Sequence, residues 1–258
     1  MTKTSKKPLA VCPKCGEAIE FELPDGRRVA VMCKCRRQTL EQAKQQQHTD
    51  YIAELQARIP QAYRRCTFDK DDQQDAETTK ILKRYTDQID IMLQNGQGLL
   101  LCGDVGTGKT YGAMCVANAL ATKGYRVGCT TLSKIISNAQ DWNNAEYWFN
   151  EVLSNQVIVI DDLGTQRTTE FANEQVYEFI DECTKQNRCL IITTNLVPSM
   201  FQAAIDKAKT ENDLAFARIY SRILERCYPV RVNAVKRRAN NQAERKQTMR
   251  QLLGGGNV

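Results

Sequence analysis

The sequence predicts an α/β fold in which a parallel sheet is covered by helices. Five short apolar runs have the length and composition of buried strands, and helix-like stretches separate most of them. The runs are residues 98–102, 127–131, 157–160, 189–194 and 230–232. Strands that alternate with helices favour a parallel sheet with both faces buried. The hydrophobic content of 42% excludes a disordered chain, because such chains contain fewer apolar residues.

Cysteine usage and hydropathy predict a cytoplasmic protein. No run of about 18 apolar residues occurs, so we expect no membrane-spanning helix. The basic stretch from Met1 to Pro8 is not followed by the apolar core of a signal peptide, so we expect no export. The 11 cysteines are too few for a secreted disulfide scaffold, and Cys102, Cys129 and Cys189 lie in apolar runs where buried free thiols are common.

Charge is distributed unevenly along the chain. The formal net charge of +6 combines basic ends with an acidic middle. Residues 1–40 contain nine Lys or Arg against four Asp or Glu, and residues 218–258 contain ten against two. Basic segments bind polyanions by releasing counterions, whereas similar charges also occur in tails that only keep a protein soluble. Charge alone therefore leaves a nucleic-acid partner and a solubilising tail open.

The chain is predicted to consist of four segments. Residues 1–38 are basic and rich in cysteine, and residues 39–66 are a polar connector that is predicted to be mostly helical. Residues 67–238 have the pattern of a globular α/β domain. Residues 239–258 form a basic and polar tail that we expect to be flexible.

A phosphate-binding loop is predicted between the first of the five strands and the helix that follows it. The segment fits the pattern G-x-x-x-x-G-K-[ST]. Its glycines let backbone N–H groups turn toward phosphate oxygens, and the next helix presents its positive N-terminal end. We expect Lys109 to reach the β- and γ-phosphates and the Thr110 hydroxyl to coordinate Mg²⁺. The loop comprises Gly103, Asp104, Val105, Gly106, Thr107, Gly108, Lys109 and Thr110.

Two later strands end in polar residues that would complete such a site. The third strand is followed by Asp161 and Asp162. We expect Asp161 to hold Mg²⁺ and Asp162 to act as a general base or to orient the attacking water. The fourth strand ends in Thr193 and Thr194 and is followed by Asn195, polar groups that we expect near the γ-phosphate or the attacking water. A simple turn role for Asn195 stays open from the sequence alone.

Together these motifs resemble those of AAA+ ATPases, in particular the DnaC/DnaI-type replicative helicase loaders and the related IstB-type transposition ATPases. The resemblance rests on the P-loop, on Ile-Asp-Asp-Leu-Gly around Asp161, on Thr-Thr-Asn ending at Asn195, and on the stretch from Tyr63 to Asp69. It implies an AAA+ P-loop NTPase core with a parallel five-stranded sheet, and ATP and Mg²⁺ as cofactors. Because little sequence follows Arg238, no separate lid domain is expected, and loaders of this type are similar in lacking one.

The resemblance also implies roles for individual residues. Asn195 would be the sensor 1 residue, and Arg238 would be the sensor 2 arginine. Arg222 matches the arginine finger that completes the ATP site of a neighbouring subunit, with Arg218 as the second candidate, and such a finger requires self-association. Asp162 stands where most AAA+ proteins have Glu, which is one methylene longer, so we expect slow hydrolysis. Without the resemblance, the arginines are also compatible with a solvated helix face.

Four cysteines near the start of the chain predict a zinc-binding module. They form a C-x₂-C pair and a C-x-C pair, Cys12 with Cys15 and Cys33 with Cys35, separated by 17 residues. Four thiolates in two close pairs match tetrahedral Zn²⁺. Residues 18–23 and 27–32 are predicted to be two strands around a turn, with the metal taking the place of a core. Free surface thiols are the alternative, and His48 is a weaker candidate ligand.

The resemblance implies a helicase loader as the function. It implies that the N-terminal module binds the replicative DNA helicase and that the ATPase domain binds single-stranded DNA. Lys134, Trp142 and Phe171 are candidates for stacking on unpaired bases, although the tryptophans, including Trp148, are also typical of a core. One alternative is an IstB-like transposition regulator that binds duplex DNA, and the zinc module disfavours it. A second alternative is a small-molecule kinase, but this chain has no obvious acceptor-binding lid.

Overall fold

The chain divides into two compact units, Met1–Ala53 and Glu54–Val258. The computed structural model describes residues 8–71, 76–141, 144–164, 169–208 and 211–233, together with Met249 and Gln251. Helix α1 (Lys34–Ala57) crosses the boundary between the units. Within the described residues, no helix is long and apolar enough to span a membrane.

The first unit contains a small antiparallel sheet. Strands β1 (Pro8–Val11), β2 (Ala18–Glu22) and β3 (Arg28–Ala30) pair in this order. Gly26 has a φ of 81° in the turn between β2 and β3, a conformation that glycine adopts without a steric cost. The two predicted strands are present in slightly shorter form, and β1 was not predicted. Helix α1 begins at Lys34, five residues earlier than the predicted connector.

The second unit contains the remaining helices and strands of the described residues. The helices are α2 (Glu77–Asp87), α3 (Ile89–Asn95), α4 (Lys109–Thr122), α5 (Leu132–Ala139), α6 (Ala145–Leu153), α7 (Glu170–Lys185), α8 (Pro198–Lys207) and α9 (Glu211–Arg226), and short 3-10 turns lie at Gln61–Tyr63 and Phe68–Lys70. The strands are β4 (Gly98–Cys102), β5 (Val127–Thr131), β6 (Val157–Leu163), β7 (Cys189–Thr194) and β8 (Cys227–Arg231). Each predicted apolar run therefore forms a strand, although β6 continues through both aspartates and β8 begins three residues early.

The five strands of this unit form one parallel sheet in the order β5-β6-β7-β4-β8. This confirms the predicted fold class. Strands β4 and β7 are buried along their whole length, and Phe179 of α7 packs with Leu100, Ile158 and Ile192 in the core beside them. A lid domain would follow β8, and most residues after β8, including most of the tail, lie outside the described residues. The absence of a lid therefore stays a prediction.

Parallel strands determine where the candidate site is assembled. Because all five strands run in one direction, their carboxyl ends meet at one edge of the sheet. The P-loop follows β4, the two aspartates lie at the end of β6, and Asn195 follows β7. The sheet order places β7 between β6 and β4, so residues distant in the sequence converge at this edge.

Candidate nucleotide site and cysteine cluster

The predicted P-loop connects β4 to α4, and its conformation depends on its glycines. Gly103, Gly106 and Gly108 have φ angles of 149°, 86° and 93°. A Cβ atom at Gly103 would lie 2.6 Å from the backbone oxygen of Val232, so this position has no room for a side chain. Helix α4 begins directly after Gly108, so the loop ends at a helix N-terminus. A glycine-rich loop at a helix N-terminus is an anion-binding arrangement.

Lys109 lies at the centre of this loop. Its side chain is buried, and its Nζ donates hydrogen bonds to the backbone oxygens of Gly103 at 2.9 Å and Asp104 at 2.8 Å. A further bond runs from Nζ to Oδ1 of Asn195 at 2.8 Å. These acceptors compensate the buried ammonium for its lost hydration. The structure thus brings the P-loop lysine into contact with Asn195.

Thr110 and Asp161 meet at the same edge of the sheet. The Thr110 hydroxyl donates to Oδ1 of Asp161 at 2.8 Å. Mg²⁺ prefers hard oxygen ligands and is usually held by one or two carboxylates together with substrate phosphates and water. One carboxylate and one hydroxyl beside a phosphate-binding loop therefore fit a magnesium site.

Asp162 lies in a bulge of β6 and is exposed. Its φ is 60°, a left-handed conformation that is uncommon for a residue with a side chain. Its backbone N–H donates to Oγ1 of Thr193 at 2.9 Å, and the same hydroxyl donates to Oδ1 of Asp161 at 2.6 Å. Thr193 was expected near the γ-phosphate or the attacking water, and the structure places its hydroxyl on the two aspartates.

A small cavity of about 30 Å³ lies beside the P-loop. Its lining includes Asp71, Thr79, Gly108, Tyr111 and Val232. The Thr79 hydroxyl donates to Oδ2 of Asp71 at 2.7 Å. The cavity adjoins the phosphate loop but has room for about one water molecule and not for a sugar or a base. Apart from Gly108 of the P-loop, the sequence does not point to these residues, because they come from separate segments and form no local motif.

Arg222 lies on α9 and contacts acidic residues of its own chain. Its guanidinium is 3.2 Å from Oε2 of Glu225 and 3.2 Å from Oδ1 of Asp181 on α7. The hydrogen bond to Glu225 and the charge of Asp181 raise the pKa of Arg222. Arg218, the second finger candidate, is exposed on the same helix, and Arg238 lies outside the described residues. None of the contacts of Arg222 in the described part of the chain involves the P-loop.

The four cysteines of the first unit form one cluster. The sulfur atoms of Cys12, Cys15, Cys33 and Cys35 all lie within 4.8 Å of one another. Cys33 directly precedes α1 and Cys35 lies in its first turn, so the C-x-C pair lies where the chain enters this helix. The cluster does not include His48, which is exposed on α1. Four converging thiols fit tetrahedral Zn²⁺.

Hydrogen bonds shift the pKa values of two thiols of this cluster in opposite directions. Backbone N–H groups of Lys14 and Cys15 lower the pKa of the Cys12 thiol to about 6, whereas hydrogen bonds with Cys33 and Cys12 raise that of Cys35 to about 12. The thiolate is the form that binds zinc. Cys12 therefore offers an ionised ligand at neutral pH. Outside the cluster, Cys66, Cys102, Cys115, Cys183, Cys189 and Cys227 are buried and Cys129 is half-buried, as expected for core residues.

The candidate DNA contacts differ in their surroundings. Lys134 is exposed in the first turn of α5, and Phe171 in the first turn of α7 is 45% exposed. Trp142 lies outside the described residues. The ring centroid of Trp148 is 6.3 Å from that of Phe179, so Trp148 packs against the core rather than standing free for a base.

Comparisons with known proteins relate this chain to an ATP-binding protein of an insertion sequence and to a replicative helicase loader. An ATP-binding protein of an insertion sequence from Mycobacterium tuberculosis is 27% identical over 110 residues, which are 42% of this chain and 44% of that protein. The replicative helicase loader DnaI of Bacillus subtilis is 24% identical over 180 residues, which are 67% of this chain and 58% of DnaI. The chain spans about half the length of the curated relatives that it matches.

Structural comparison and a family match agree on the fold. The crystal structure of the DnaC helicase loader superimposes with a TM-score of 0.55 at 23% identity, over 67% of this chain and 100% of that one. The fold is that of AAA+ proteins, and it carries a P-loop between β4 and α4. Residues 34–245 match the family model of IstB-like ATP-binding proteins, which is most of the sequence. The chain therefore belongs to the family of IstB-like ATP-binding proteins.

Proposed function

We propose that the chain is an ATP-dependent helicase loader that binds the replicative DNA helicase and single-stranded DNA during the initiation of replication. The observation that carries the proposal is the combination of an assembled P-loop site with a four-cysteine cluster in one chain. The similarity to the helicase loader DnaI supports it, because that match extends over most of the ATPase domain.

In the proposed ATP site, residues of this chain supply charge and position. Lys109 binds the β- and γ-phosphates, and Asn195 beside it contacts the γ-phosphate or the attacking water. Thr110 and Asp161 hold Mg²⁺, which when bound neutralises the charge that develops on the phosphates. Asp162 orients the attacking water or accepts its proton. Because its side chain is one methylene shorter than Glu, we propose slow hydrolysis that assembly or DNA stimulates.

We propose that neighbouring subunits complete the ATP sites. Arg222 is paired with Glu225 and Asp181 in its own chain, so it would exchange these partners for the phosphate of an adjacent subunit. A guanidinium is suited to this exchange, because it stays charged and binds carboxylate and phosphate with similar geometry. Arg238 is proposed as the sensor 2 arginine.

The two partners are proposed to bind different parts of the chain. We assign the replicative helicase to the cysteine module, which would be held together by Zn²⁺. We assign single-stranded DNA to the ATPase domain, with Lys134 and Phe171 as exposed contacts and Trp142 as a third candidate.

A second candidate function is regulation of transposition with binding to duplex DNA. The similarity to an ATP-binding protein of an insertion sequence favours it, as does the family name. The cysteine cluster favours the loader. Three of its four cysteines lie within residues 12–33, before the family match begins, so the cysteine module is additional to the part of the chain that the family model covers.

The test is co-purification of the full chain with the replicative helicase of its host cell, together with titration of labelled single-stranded and duplex oligonucleotides in the presence of ATP. A loader co-elutes with the helicase and prefers the single strand. Lys134→Ala combined with Phe171→Ala should weaken single-strand binding by about tenfold. The control Tyr147→Ala, which removes an aromatic ring that is even more exposed (73% against 45% for Phe171), should not. Tight duplex binding without helicase capture would favour the transposition regulator instead.

A further inference from the structure

The register between β6 and β7 breaks at the candidate site. Ile160 pairs with Ile192, and the next pair is Leu163 with Thr194. Two residues of β6, Asp161 and Asp162, therefore lie opposite the single residue Thr193 of β7. Two residues opposite one is the definition of a β-bulge, a feature that often aims side chains at functional sites.

The Thr193 hydroxyl joins the two residues of this bulge. It donates its hydrogen to Oδ1 of Asp161 at 2.6 Å and accepts the backbone N–H of Asp162 at 2.9 Å. Thr193 is 1% exposed, so water does not compete for these bonds. A hydroxyl has one hydrogen and two acceptor lone pairs, so one group can satisfy both neighbours at once. A methyl group in its place could satisfy neither.

The backbone of Asp162 needs such support. Its φ of 60° is unfavourable for a residue with a Cβ atom, and such conformations persist only where the surroundings hold them. The following threonine holds the other side of the bulge. The Thr194 hydroxyl donates to the backbone oxygen of Leu163 at 2.7 Å and accepts the N–H of Leu196 at 3.1 Å. Both hydroxyls at the end of β7 are thus used to fix the end of β6.

We propose that Thr193 is a positioning residue for ATP hydrolysis. It fixes the carboxylate of Asp161 in the orientation in which that group and Thr110 hold Mg²⁺, and it fixes the backbone from which the Asp162 carboxylate projects. The inference rests on the roles proposed above for these two aspartates. Thr193 acts through them and does not itself contact the nucleotide.

The test compares Thr193→Val, Thr193→Ser and Thr130→Val in the full chain. Valine keeps the shape of threonine and removes the hydroxyl, and serine restores it. Thr130 is an equally buried threonine of β5 whose hydroxyl contacts neither aspartate, so Thr130→Val controls for loss of a buried hydroxyl in the sheet. The readouts are kcat, the Mg²⁺ concentration for half-maximal hydrolysis, ATP binding in excess chelator, and amide hydrogen exchange at Asp162 in protein free of metal and nucleotide.

Thr193→Val should lower kcat and raise the Mg²⁺ requirement by about 10- to 100-fold, the usual effect of removing a group that orients a metal ligand. ATP binding in chelator should stay within about twofold, because the phosphate loop is intact, and exchange at Asp162 should accelerate by about tenfold or more because its N–H loses its acceptor. Thr193→Ser and Thr130→Val should resemble the wild type in all four measurements.

The inference is overturned if Thr193→Val has the Mg²⁺ requirement and the Asp162 exchange of the wild type, or if Thr130→Val changes both equally. It is also overturned if Thr193→Ser is as defective as Thr193→Val. If the wild type hydrolyses no ATP, the proposed function fails, and the exchange measurement alone then decides whether Thr193 holds the bulge.

Discussion

At the nucleotide site, single side chains make several contacts each. Lys109 Nζ has three oxygen acceptors, and Oδ1 of Asp161 accepts hydrogen bonds from both Thr110 and Thr193. A group with several partners in a buried setting has few orientations open to it. The lysine and the proposed magnesium ligands Thr110 and Asp161 are consequently held in place by the fold rather than by a bound nucleotide.

The cysteines form two chemical groups. Burial raises the pKa of Cys189 to about 11 and that of Cys129 to about 12. Backbone N–H groups lower the pKa of Cys12 to about 6. Thiolates react and thiols do not, so at pH 8 roughly one Cys189 side chain in a thousand is reactive even before burial blocks access.

We predict that thiol modification will separate these groups. At pH 8 a zinc chelator should unfold the cysteine module while the rest of the chain stays native, so a thiol reagent should then modify its four cysteines rapidly. The other seven, which are buried or half-buried, should react far more slowly until the chain is denatured. Raising the pH increases the thiolate fraction of Cys189 until its pKa is passed, so its slow reaction should accelerate with pH. Rapid modification of more than four thiols in the native chain would show that the core assignment is wrong.

The sequence indicated which residues belong to the candidate site, but it did not indicate which contacts these residues make. The P-loop pattern is specific enough to locate Lys109 and Thr110, and an apolar strand before two acids located Asp161. The bond between Lys109 and Asn195 and the two bonds of Thr193 could not be predicted, because they depend on the order of β6, β7 and β4 and on the register between them.

Among the strands, burial along the whole length made the bounds of β4 and β7 predictable, whereas the less buried β8 was predicted to begin too late and β1 was missed. The apolar runs of β4 and β7 match the observed strands because both strands are buried along their whole length. Strand β8 lies at the edge of the sheet, and its residues Tyr228 and Pro229 are exposed. The apolar pattern therefore did not mark the start of this strand. Strand β1 was missed because none of its side chains is buried and no alternation marks it.

A close approach between β4 and β7 gives an element-scale prediction. A Cβ atom at Gly98 would lie 2.0 Å from the backbone oxygen of Leu190 on β7. Gly98→Ala should therefore force the strands apart and lower the free energy of unfolding by about 1–3 kcal/mol. A Cβ atom at Gly128, in β5 of the same sheet, would meet only the side chain of Asn155, so Gly128→Ala is the matched control and should cost less. Chemical denaturation measures the free energy of unfolding of both variants. Equal losses in the two variants would contradict the close approach of β4 to β7 at Gly98.

Across the whole molecule, the proposed arginine finger Arg222 requires ATP sites that are shared between subunits. Arg222→Ala should bind ATP nearly normally but hydrolyse it about 10³-fold more slowly, because the finger acts in the transition state of the neighbouring site. Asp162→Asn should not hydrolyse ATP, because its defect lies in the ATP site of the same subunit. A mixture of the two should recover part of the activity, since the intact acid of one subunit then meets the intact arginine of the other.

Turnover assays at constant total protein measure this recovery. Arg84→Ala, which removes an exposed arginine of α2, is the control and should hydrolyse ATP like the wild type. If Arg222→Ala alone is fully active and mixing changes nothing, the finger is another residue, and Arg218 is the next candidate.

The molecule is divided into a cysteine module and an ATPase unit, and each has its own source of stability. Within the described residues of the first unit, the only buried side chains are Cys12 and Cys33, so a bound metal would replace a core there. The second unit has a buried parallel sheet. The division of the chain falls within α1, between Ala53 and Glu54, whereas the predicted module ends at residue 38. Helix α1 begins at the cysteine cluster and continues past both positions, so no change in composition marks the division.

The most direct test of the account measures ATP affinity and zinc content together in two variants of the full chain. Lys109→Ala should keep stoichiometric zinc and weaken ATP binding by at least about tenfold, ~1.4 kcal/mol, because the cation that meets the phosphates is gone. Cys33→Ser combined with Cys35→Ser should lose zinc and helicase capture but bind ATP like the wild type. Lys123→Ala, an exposed lysine paired with Asp87, should change neither property. Normal ATP binding by a folded Lys109→Ala protein would contradict the nucleotide site at the centre of this account.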